Sequence, residues 1–475
     1  MRPQPAAPAY PCRVRRSKAL PLAVALLALA FGGCAGSAGT RATHEAVSQP
    51  HARPSTAATV QVTGRKLQGI DGWGVSVVAG AAADPITQTG GLSKRELRRL
   101  DRLVFRAGGV NLVRVFGPGT GPQRGNAGPP RLADPRFGFM RRVRRYGVRF
   151  MLTGGDAPKR LKEGEKLAPG AEAEYARYLA SVLRFARTRL KVPFTYSAVG
   201  NEIDFGDSLL QMSPEQAARV YQELAGQIRA RRLGTKLVVG DDINWGVTER
   251  YARAVLAAPG VRGLAARIAS HDYDAGNVQD RRDLAALAAQ HGLGVWQTEF
   301  GTGCGSCPDD RTMASGLQWS RKIYLALTEA NARAWFAFRP VSNSEHGPED
   351  ALLVRQYGNR SRPFYAGKRF YVFRQYSSAA PPRSRRLDTA VSGEGITAVA
   401  FTRKGVVAVV INNPGSQAVT VDLDFGGRKG RLSGRRTSPG ESFRSLGRLA
   451  YGGSAVQVAL PRQSVTTYEL RPGSN

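Results

Sequence analysis

The chain has 475 residues, 42% of them hydrophobic, which is enough for two or three globular domains. Its formal net charge is +33, from 69 Lys and Arg against 36 Asp and Glu. Such a balance is compatible with a polyanionic partner or with a simple compositional bias. The basic residues are scattered, no helical segment carries a clean basic face, and no nucleic-acid motif occurs. Nucleic-acid binding is therefore excluded from the predicted functions.

A secretory signal is predicted over residues 1–34. Basic residues precede an uncharged run from Ala19 to Gly33, which is short for a transmembrane helix but typical of a signal. The run ends at Phe31-Gly-Gly-Cys34, which is similar to a bacterial lipoprotein cleavage site. Two outcomes stay open. Lipidation of Cys34 would tether the protein to the outer face of the cytoplasmic membrane, whereas cleavage near Ala35–Ala38 would release a secreted protein.

Residues 35–58 are rich in Gly, Ser, Ala, Thr and Pro and are predicted to be a flexible linker. From residue 59 to residue 362, strand and helix patterns alternate. Eight strands are predicted near Trp73, Arg114, Leu152, Val199, Val239, Ala269, Gln297 and Phe336.

This alternation indicates an α/β fold, and a (β/α)₈ TIM barrel is preferred to a doubly wound open sheet. The reason is that polar residues end strand after strand, and barrel active sites lie at that rim. Residues 363–475 contain short β-rich runs separated by Gly, Pro and Asn, which predicts a C-terminal antiparallel β-sandwich. A strand at 59–66 precedes the barrel and is a candidate to pair with the sandwich.

Two of the predicted strands end at a glutamate. Tyr196-Ser-Ala-Val-Gly-Asn leads to Glu202, and Val295-Trp-Gln-Thr leads to Glu299. A buried strand that ends in a carboxylate loses stability unless the carboxylate is paired or functional. Two carboxylates facing one site are what glycoside hydrolysis requires. The pair Glu202 and Glu299 is therefore the predicted catalytic pair.

Four motifs occur in order along the chain: Gln68-Gly-Ile-Asp-Gly-Trp-Gly74, Asn201-Glu202 after strand 4, Thr298-Glu299 at the end of strand 7, and Lys368-Arg-Phe-Tyr-Val-Phe-Arg-Gln-Tyr-Ser377. Together they resemble glycoside hydrolase family 30, within the clan of retaining barrel glycosidases. The likeness spans roughly Val60 to Leu470. It implies that Glu202 is the acid/base and Glu299 the nucleophile. It also implies that Asn201 binds the sugar 2-hydroxyl and that Arg114 holds the nucleophile ionised.

Further substrate-binding candidates follow other strands. His271 and Tyr273 follow strand 6, and Trp335 lies in strand 8. Asp156 lies in Gly154-Gly-Asp-Ala-Pro-Lys-Arg-Leu-Lys162, where many family members carry an aromatic segment. This departure leaves the identity of the sugar open.

Cys304-Gly-Ser-Cys307 follows the second glutamate and is predicted to form a local disulfide in an exported protein. No metal-ligand cluster or cofactor-binding motif appears, so the predicted chemistry uses no metal and no cofactor. A carbohydrate substrate and a monomeric state are expected.

The sequence thus predicts an exported retaining β-glycoside hydrolase. The alternatives are a uronic-acid-directed hydrolase of the same clan and a catalytically silent carbohydrate-binding or wall-associated protein on the same fold.

Overall fold

The structure is a computed structural model, and it describes residues 56–77, 92–117, 127–204, 206, 208–273, 277–301, 310–342, 351–355 and 364–473. The predicted signal, the linker up to residue 55, Cys34, Cys304 and Cys307 lie outside these ranges, so those predictions stay predictions. Among the described residues, no helix combines the length and apolarity needed to cross a bilayer.

In the described part of the chain, eight parallel strands close into a barrel. They are β1 (Gly72–Val77), β2 (Leu112–Phe116), β3 (Arg149–Thr153), β4 (Tyr196–Ala198), β5 (Lys236–Asp242), β6 (Ala265–His271), β7 (Gly294–Glu299) and β8 (Ala332–Ala337). The barrel closes between β8 and β1, where Trp335 pairs with Trp73. The predicted TIM barrel is confirmed, and the open doubly wound sheet is excluded.

The helices between and after these strands are α1 (Lys94–Asp101), α2 (Pro135–Val143), α3 (Glu172–Phe185), α4 (Pro214–Ala230), α5 (Trp245–Ala257), α6 (Val278–Gln290), α7 (Met313–Thr328) and α8 (Lys368–Ala379). Local sequence sets where they begin. The Ser213 hydroxyl accepts a hydrogen bond from the Gln216 amide, and Pro214 occupies the first turn of α4. Short π-helical turns extend α1 and α3 over Arg102–Ala107 and Ala186–Leu190, and 3₁₀ turns lie at Arg144–Tyr146 and Lys159–Leu161.

The interior of the barrel is a compact apolar cluster. It contains Leu112, Met151, Tyr196, Ala198, Val238, Ala269, Trp296, Ala334 and Phe336. Residues that alternate with these along the strands face the surrounding helices. Gly74 permits a close approach inside the barrel, since a Cβ at this position would lie 2.1 Å from the Phe336 ring.

Nine further strands among the described residues form a second, mostly antiparallel sheet. These are Thr56–Gly69, Arg385–Ser392, Thr397–Arg403, Val406–Asn413, Val419–Asp424, Gly430–Ser438, Glu441–Tyr451, Val456–Leu460 and Ser464–Arg471. Strands from both ends of the sheet share one buried core, so the sheet folds over itself as a sandwich. The N-terminal strand pairs antiparallel with Arg385–Ser392 and parallel with Val419–Asp424.

Smaller strands complete the chain. Arg339–Ser342, Ala351–Arg355 and Phe364–Ala366 form a three-stranded sheet, and Lys162–Glu163 pairs with Lys166–Leu167. Helix α8 joins the barrel to the sandwich. The Tyr376 hydroxyl lies 2.8 Å from the Ser320 hydroxyl of α7 and 3.0 Å from Nδ2 of Asn412, which belongs to the sandwich.

Candidate active site

Arg114, in the middle of β2, is the centre of a polar cluster at the carboxyl ends of the strands. Its side chain is fully buried. Nε donates to Asp241 Oδ2 at 2.9 Å and Nη1 donates to Glu299 Oε2 at 2.6 Å. Nη2 donates a short hydrogen bond to Asn201 Oδ1. One guanidinium therefore fixes Asn201 after β4, Asp241 in β5 and Glu299 in β7, as its planar fork of donors allows.

Asp241 compensates the buried charge of Arg114. It lies near the end of β5 and receives hydrogen bonds from the hydroxyls of Thr153 and Thr298, the latter at 2.7 Å. Burial alone would raise its pKa. The positive charge of Arg114, together with hydrogen bonds from His271 and Thr153, instead holds the pKa of Asp241 well below its ordinary value. Asp241 is therefore a permanent carboxylate in the floor of the cluster.

Glu299, the last residue of β7, is almost enclosed, with 4% of its surface exposed. Besides the bond from Arg114, it accepts a hydrogen bond from the Tyr273 hydroxyl at 2.7 Å on Oε1. Burial raises the pKa of Glu299, and the positive charges of His271 and Arg114 oppose that rise. Both carboxylate oxygens are thus held by donors, which fixes the orientation of the group.

Glu202 lies four residues beyond the end of β4, and its side chain is 15% exposed. The structure therefore differs from the prediction that the strand itself runs to the glutamate. The backbone of Glu202 has a φ of 47°, and its N–H donates to the Asp241 carbonyl at 3.0 Å. A left-handed non-glycine residue is characteristic of functional sites, where surrounding contacts maintain it.

His271 connects the two glutamates. Its Nδ1 lies 2.7 Å from Glu202 Oε1, and its Nε2 lies 3.4 Å from Asp241 Oδ1 and 3.8 Å from Glu299 Oε2. Burial opposes protonation of the imidazole, but Glu299, Asp241 and Glu202 together raise the pKa of His271 to about 10. The raised pKa favours the imidazolium, which donates its Nδ1–H to Glu202 when that carboxyl group is ionised.

One carboxylate oxygen each of Glu202 and Glu299 and one ring nitrogen of His271 lie within 4.8 Å of one another. Such a group can in general bind a metal ion. Here the guanidinium of Arg114 contacts Glu299 and lies 3.3 Å from His271 Nε2. This positive charge disfavours a cation at the same place, so the arrangement fits two carboxyl groups that exchange a proton with a substrate.

Comparisons with known proteins bear on the fold. No protein-family model and no curated protein sequence matches the chain. Among solved structures, a family 30 endoxylanase from Clostridium papyrosolvens has a TM-score of 0.70 and 18% identity, and the match covers 88% of this chain and all of that one. The family 30 xylanase C of Talaromyces cellulolyticus has a TM-score of 0.70 and 20% identity, covering 87% of this chain and all of its catalytic domain. An endo-β1,6-glucanase has a TM-score of 0.65 and 16% identity, covering 87% of this chain and 94% of that one.

The chain has the fold of glycoside hydrolase family 30. The expected barrel with a C-terminal β-domain is thereby confirmed, and the likeness extends across both parts of the family 30 fold.

Within this family 30 fold, six of the eight residues predicted to act in the site meet at one place. They are Arg114, Asn201, Glu202, His271, Tyr273 and Glu299. His271 and Tyr273 were predicted only as sugar-binding residues. In the structure each is hydrogen-bonded to one of the two glutamates, so both are positioned to orient the carboxylates.

Trp335 does not belong to this cluster, which corrects the prediction that it binds sugar. Strand alternation directs Ala334 and Phe336 into the barrel and Trp335 outward. Its indole packs 5.3 Å from the ring of Trp319 on α7. The tryptophan is part of the core between β8 and the helices.

Asp156 is likewise not presented to a substrate. Its side chain is fully buried and accepts a hydrogen bond from Lys162 Nζ at 2.8 Å and one from the Ala157 amide at 2.8 Å. The ammonium of Lys162 also donates to the Leu209 carbonyl at 2.7 Å. Asp156 therefore anchors the segment after β3, and the prediction that it binds substrate is corrected accordingly.

Asp241 is the site residue that the sequence reasoning missed. The pair Asp241-Asp242 at the end of β5 was visible, but nothing in the sequence separates a site carboxylate from a surface one at that position. The available signal was the arginine expected in the site at Arg114, since one carboxylate cannot accept hydrogen bonds from all five guanidinium N–H groups.

Proposed function

We propose that the protein is a retaining β-glycoside hydrolase in which Glu299 is the nucleophile and Glu202 the acid/base. The observation that carries this proposal is the closeness of the two carboxylates, since one oxygen of Glu202 lies within 4.8 Å of one oxygen of Glu299. Retaining enzymes hold their carboxyl groups about 5–5.5 Å apart, whereas inverting enzymes leave about 6.5–9.5 Å for a water molecule. The short separation supports retention.

In the first step, Glu299 attacks the anomeric carbon while Glu202 transfers its proton to the glycosidic oxygen. The bond to the leaving group breaks, and a covalent glycosyl–enzyme ester forms on Glu299. Arg114 and Tyr273 fix the nucleophile through bonds of 2.6 and 2.7 Å, so no reorientation is needed before attack.

In the second step, a water molecule attacks the anomeric carbon and releases Glu299, while Glu202 accepts the proton of that water. The protonated His271 donates to Glu202 at 2.7 Å and stabilises the carboxylate that exists between the two steps. Asn201 is held through its Oδ1 by Arg114, so its amide nitrogen is available as a donor to the sugar 2-hydroxyl.

A β-linked polysaccharide is the substrate class that the comparisons support. The structural neighbours with this fold include xylanases and an endo-β1,6-glucanase. The test is a digest of aryl β-glycosides and of xylan and β-glucans, with product analysis. Glu202→Gln and Glu299→Gln should each lower hydrolysis by about 10³-fold or more. A wild-type protein that binds glycans but cleaves none of them would contradict the proposal and favour the silent carbohydrate-binding alternative.

We also propose that the protein is exported and that Cys34 is the first residue of a lipid-anchored mature form. The support is the basic segment, the uncharged run and the small residues around Cys34. Mass spectrometry of the mature N-terminus decides the matter. A diacylglycerol-modified Cys34 is expected, and Cys34→Ala should then remain uncleaved. An unmodified N-terminus near Ala35–Ala38 would contradict lipidation while leaving export intact.

A further inference from the structure

A groove with a volume of about 730 Å³ lies on the C-terminal domain, away from the two glutamates. Its floor is formed by three neighbouring strands of the nine-stranded sheet, Gly430–Ser438, Glu441–Tyr451 and Ser464–Arg471. The end of α8, at Ser378 and Ala379, forms one wall. The strand Glu441–Tyr451 is the edge strand of the sheet, so the groove is open on that side.

Strand alternation collects arginines on the face of the sheet that lines this groove. Arg431 and Arg435 alternate with the buried Leu432 on one strand, and Arg431 is directly paired with Arg471 on the next. On the other side, Ser433 is paired with Arg448 of the edge strand. Four arginines thus line one concave surface. Arg431 and Arg435 lie about 13 Å apart along their strand, at about 3.3 Å per residue.

Little negative charge compensates these arginines. Among the described residues, Glu469 is the acidic side chain that lines the groove, and it forms an ion pair with Arg471 at 2.5 Å. Arg431, Arg435 and Arg448 have no carboxylate within ion-pair distance in the described part of the chain. Glu469 compensates Arg471, so the uncompensated positive charge of the groove is that of Arg431, Arg435 and Arg448.

The lining also contains groups suited to a sugar polymer. Ser433 and Ser445 supply hydroxyls. Phe443, on the edge strand, supplies an aromatic ring, and its backbone is left-handed, with a φ of 56°. The guanidinium of Arg374 lies 4.0 Å from the centroid of that ring and fixes its position from the helix side. The groove thus combines a fixed aromatic surface with guanidinium groups, each of which can donate two parallel hydrogen bonds to one carboxylate.

We propose that this groove binds a polysaccharide that carries carboxylate groups, that is, a uronate-containing glycan. The positive charge of the groove favours an anionic ligand. The choice of a polysaccharide among polyanions rests on the proposed hydrolase function of the barrel. The groove holds the polymer on the C-terminal domain, so that the same chain can be cleaved at the barrel.

The experiment measures direct binding of a fluorescein-labelled oligogalacturonate to the full-length mature protein by fluorescence polarisation at physiological salt. The paired ligand is the same oligosaccharide with its carboxyl groups methyl-esterified. We expect the free acid to bind at least about tenfold more tightly than the ester, because charge-assisted hydrogen bonds to arginine are lost on esterification. Equal affinity for acid and ester would overturn the proposal.

Variants distinguish the groove from the general basicity of the chain. Arg431→Ser with Arg448→Ser should weaken acid binding by about tenfold or more. The matched control is Arg403→Ser with Arg462→Ser, which removes two exposed arginines of the same domain outside the groove. The control should bind within about twofold of the wild type, since Arg403 and Arg462 do not line the groove and salt screens charges more than about 8–10 Å away. Equal losses in both double variants, or tighter binding of a single-stranded DNA oligonucleotide of equal charge, would contradict the assignment.

Thermal unfolding of the same variants provides a further readout. Arg431→Ser with Arg448→Ser should be about as stable as the wild type without ligand, because both arginines are exposed and substitutions at such positions change stability little. A large loss of stability would indicate a structural role and overturn the proposal. Binding is measured without turnover, so the tests of the groove and of the hydrolase proposal are independent. A protein that hydrolyses glycosides but does not bind the uronate refutes only the groove proposal.

Discussion

Arg114 on β2 and Glu299 on β7 form a buried ion pair in which Nη1 lies 2.6 Å from Oε2. The pair spans the mouth of the barrel and is completed by Asp241, so one cation is shared between two carboxylates. Breaking a buried pair by removing one partner typically costs about 3–5 kcal/mol, because the other charge stays buried. Both the stability of the barrel and the orientation of Glu299 therefore depend on Arg114.

The substitution Arg114→Lys tests this dependence. A lysine keeps the charge but cannot donate to Asp241, Asn201 and Glu299 at once. We expect kcat/KM to fall by about 10²-fold or more, with a decrease in unfolding temperature that is smaller than that of Arg114→Gln. Steady-state kinetics and calorimetry provide the measurement. Wild-type activity in Arg114→Lys would show that charge alone is sufficient.

Tyr273→Phe removes one hydroxyl from the site. The hydroxyl donates to Glu299 Oε1 at 2.7 Å, and its ring packs edge-on to His271. The substitution should lower kcat by about 10- to 100-fold, because a donor to the nucleophile is lost while the apolar contact remains. The unfolding temperature should change little. A higher KM with an unchanged kcat would instead assign Tyr273 to substrate binding, as the sequence first predicted.

The raised pKa of His271 predicts a pH-dependent stability. The pKa is about 10 in the folded state, against an ordinary value of 6.5, so the folded protein holds a proton that the unfolded chain releases. The stabilisation is fully present below about pH 6.5 and is lost as the pH rises through about 10, at up to about 1.4 kcal/mol per pH unit. Denaturant unfolding of the wild type and of His271→Gln between pH 6 and pH 10 measures it. The two free energies of unfolding should converge as the pH rises, and parallel curves would contradict the assignment.

Asp242 predicts a further loss of stability with rising pH, beginning at a lower pH than that of His271. Both carboxylate oxygens are buried without a hydrogen-bond partner among the described residues. Burial, followed by the negative charges of Asp204 and Asp241, raises the pKa of Asp242 well above its ordinary value. The wild type therefore loses stability as the pH rises above about 4, where an unfolded aspartate ionises.

Asp242→Asn should remove this loss. We expect the stability gain over the wild type, measured by denaturant unfolding, to grow between pH 4 and pH 7. Glu394→Gln, at an exposed position, is the control and should show no such trend. If Asp242→Asn is less stable than the wild type at pH 7, the carboxylate is stabilised by a partner, and the prediction of an unpaired buried carboxylate is wrong.

Much of the fold followed from sequence periodicity, and the two glutamates followed from their place after strands. Residues that end parallel strands converge whatever their side chains, which explains why Glu202, His271 and Glu299 were found. The direction of Trp335 within β8 was not predictable, because the segment Ala334-Trp-Phe-Ala337 is apolar on both faces. The prediction that Asp156 binds substrate was wrong for a related reason. Its partner Lys162 is joined to it only by the conformation of the segment after β3.

The central claim is that Glu299 is the nucleophile of a retaining mechanism. The most direct measurement is mass spectrometry of the protein after reaction with a panel of 2-deoxy-2-fluoro-β-glycosides that carry an activated leaving group. The account predicts a stoichiometric glycosyl adduct on the peptide that contains Glu299, no adduct in Glu299→Gln, and slow release in water. An adduct on Glu202 or another residue, or turnover of the panel with inversion at the anomeric carbon, would contradict it.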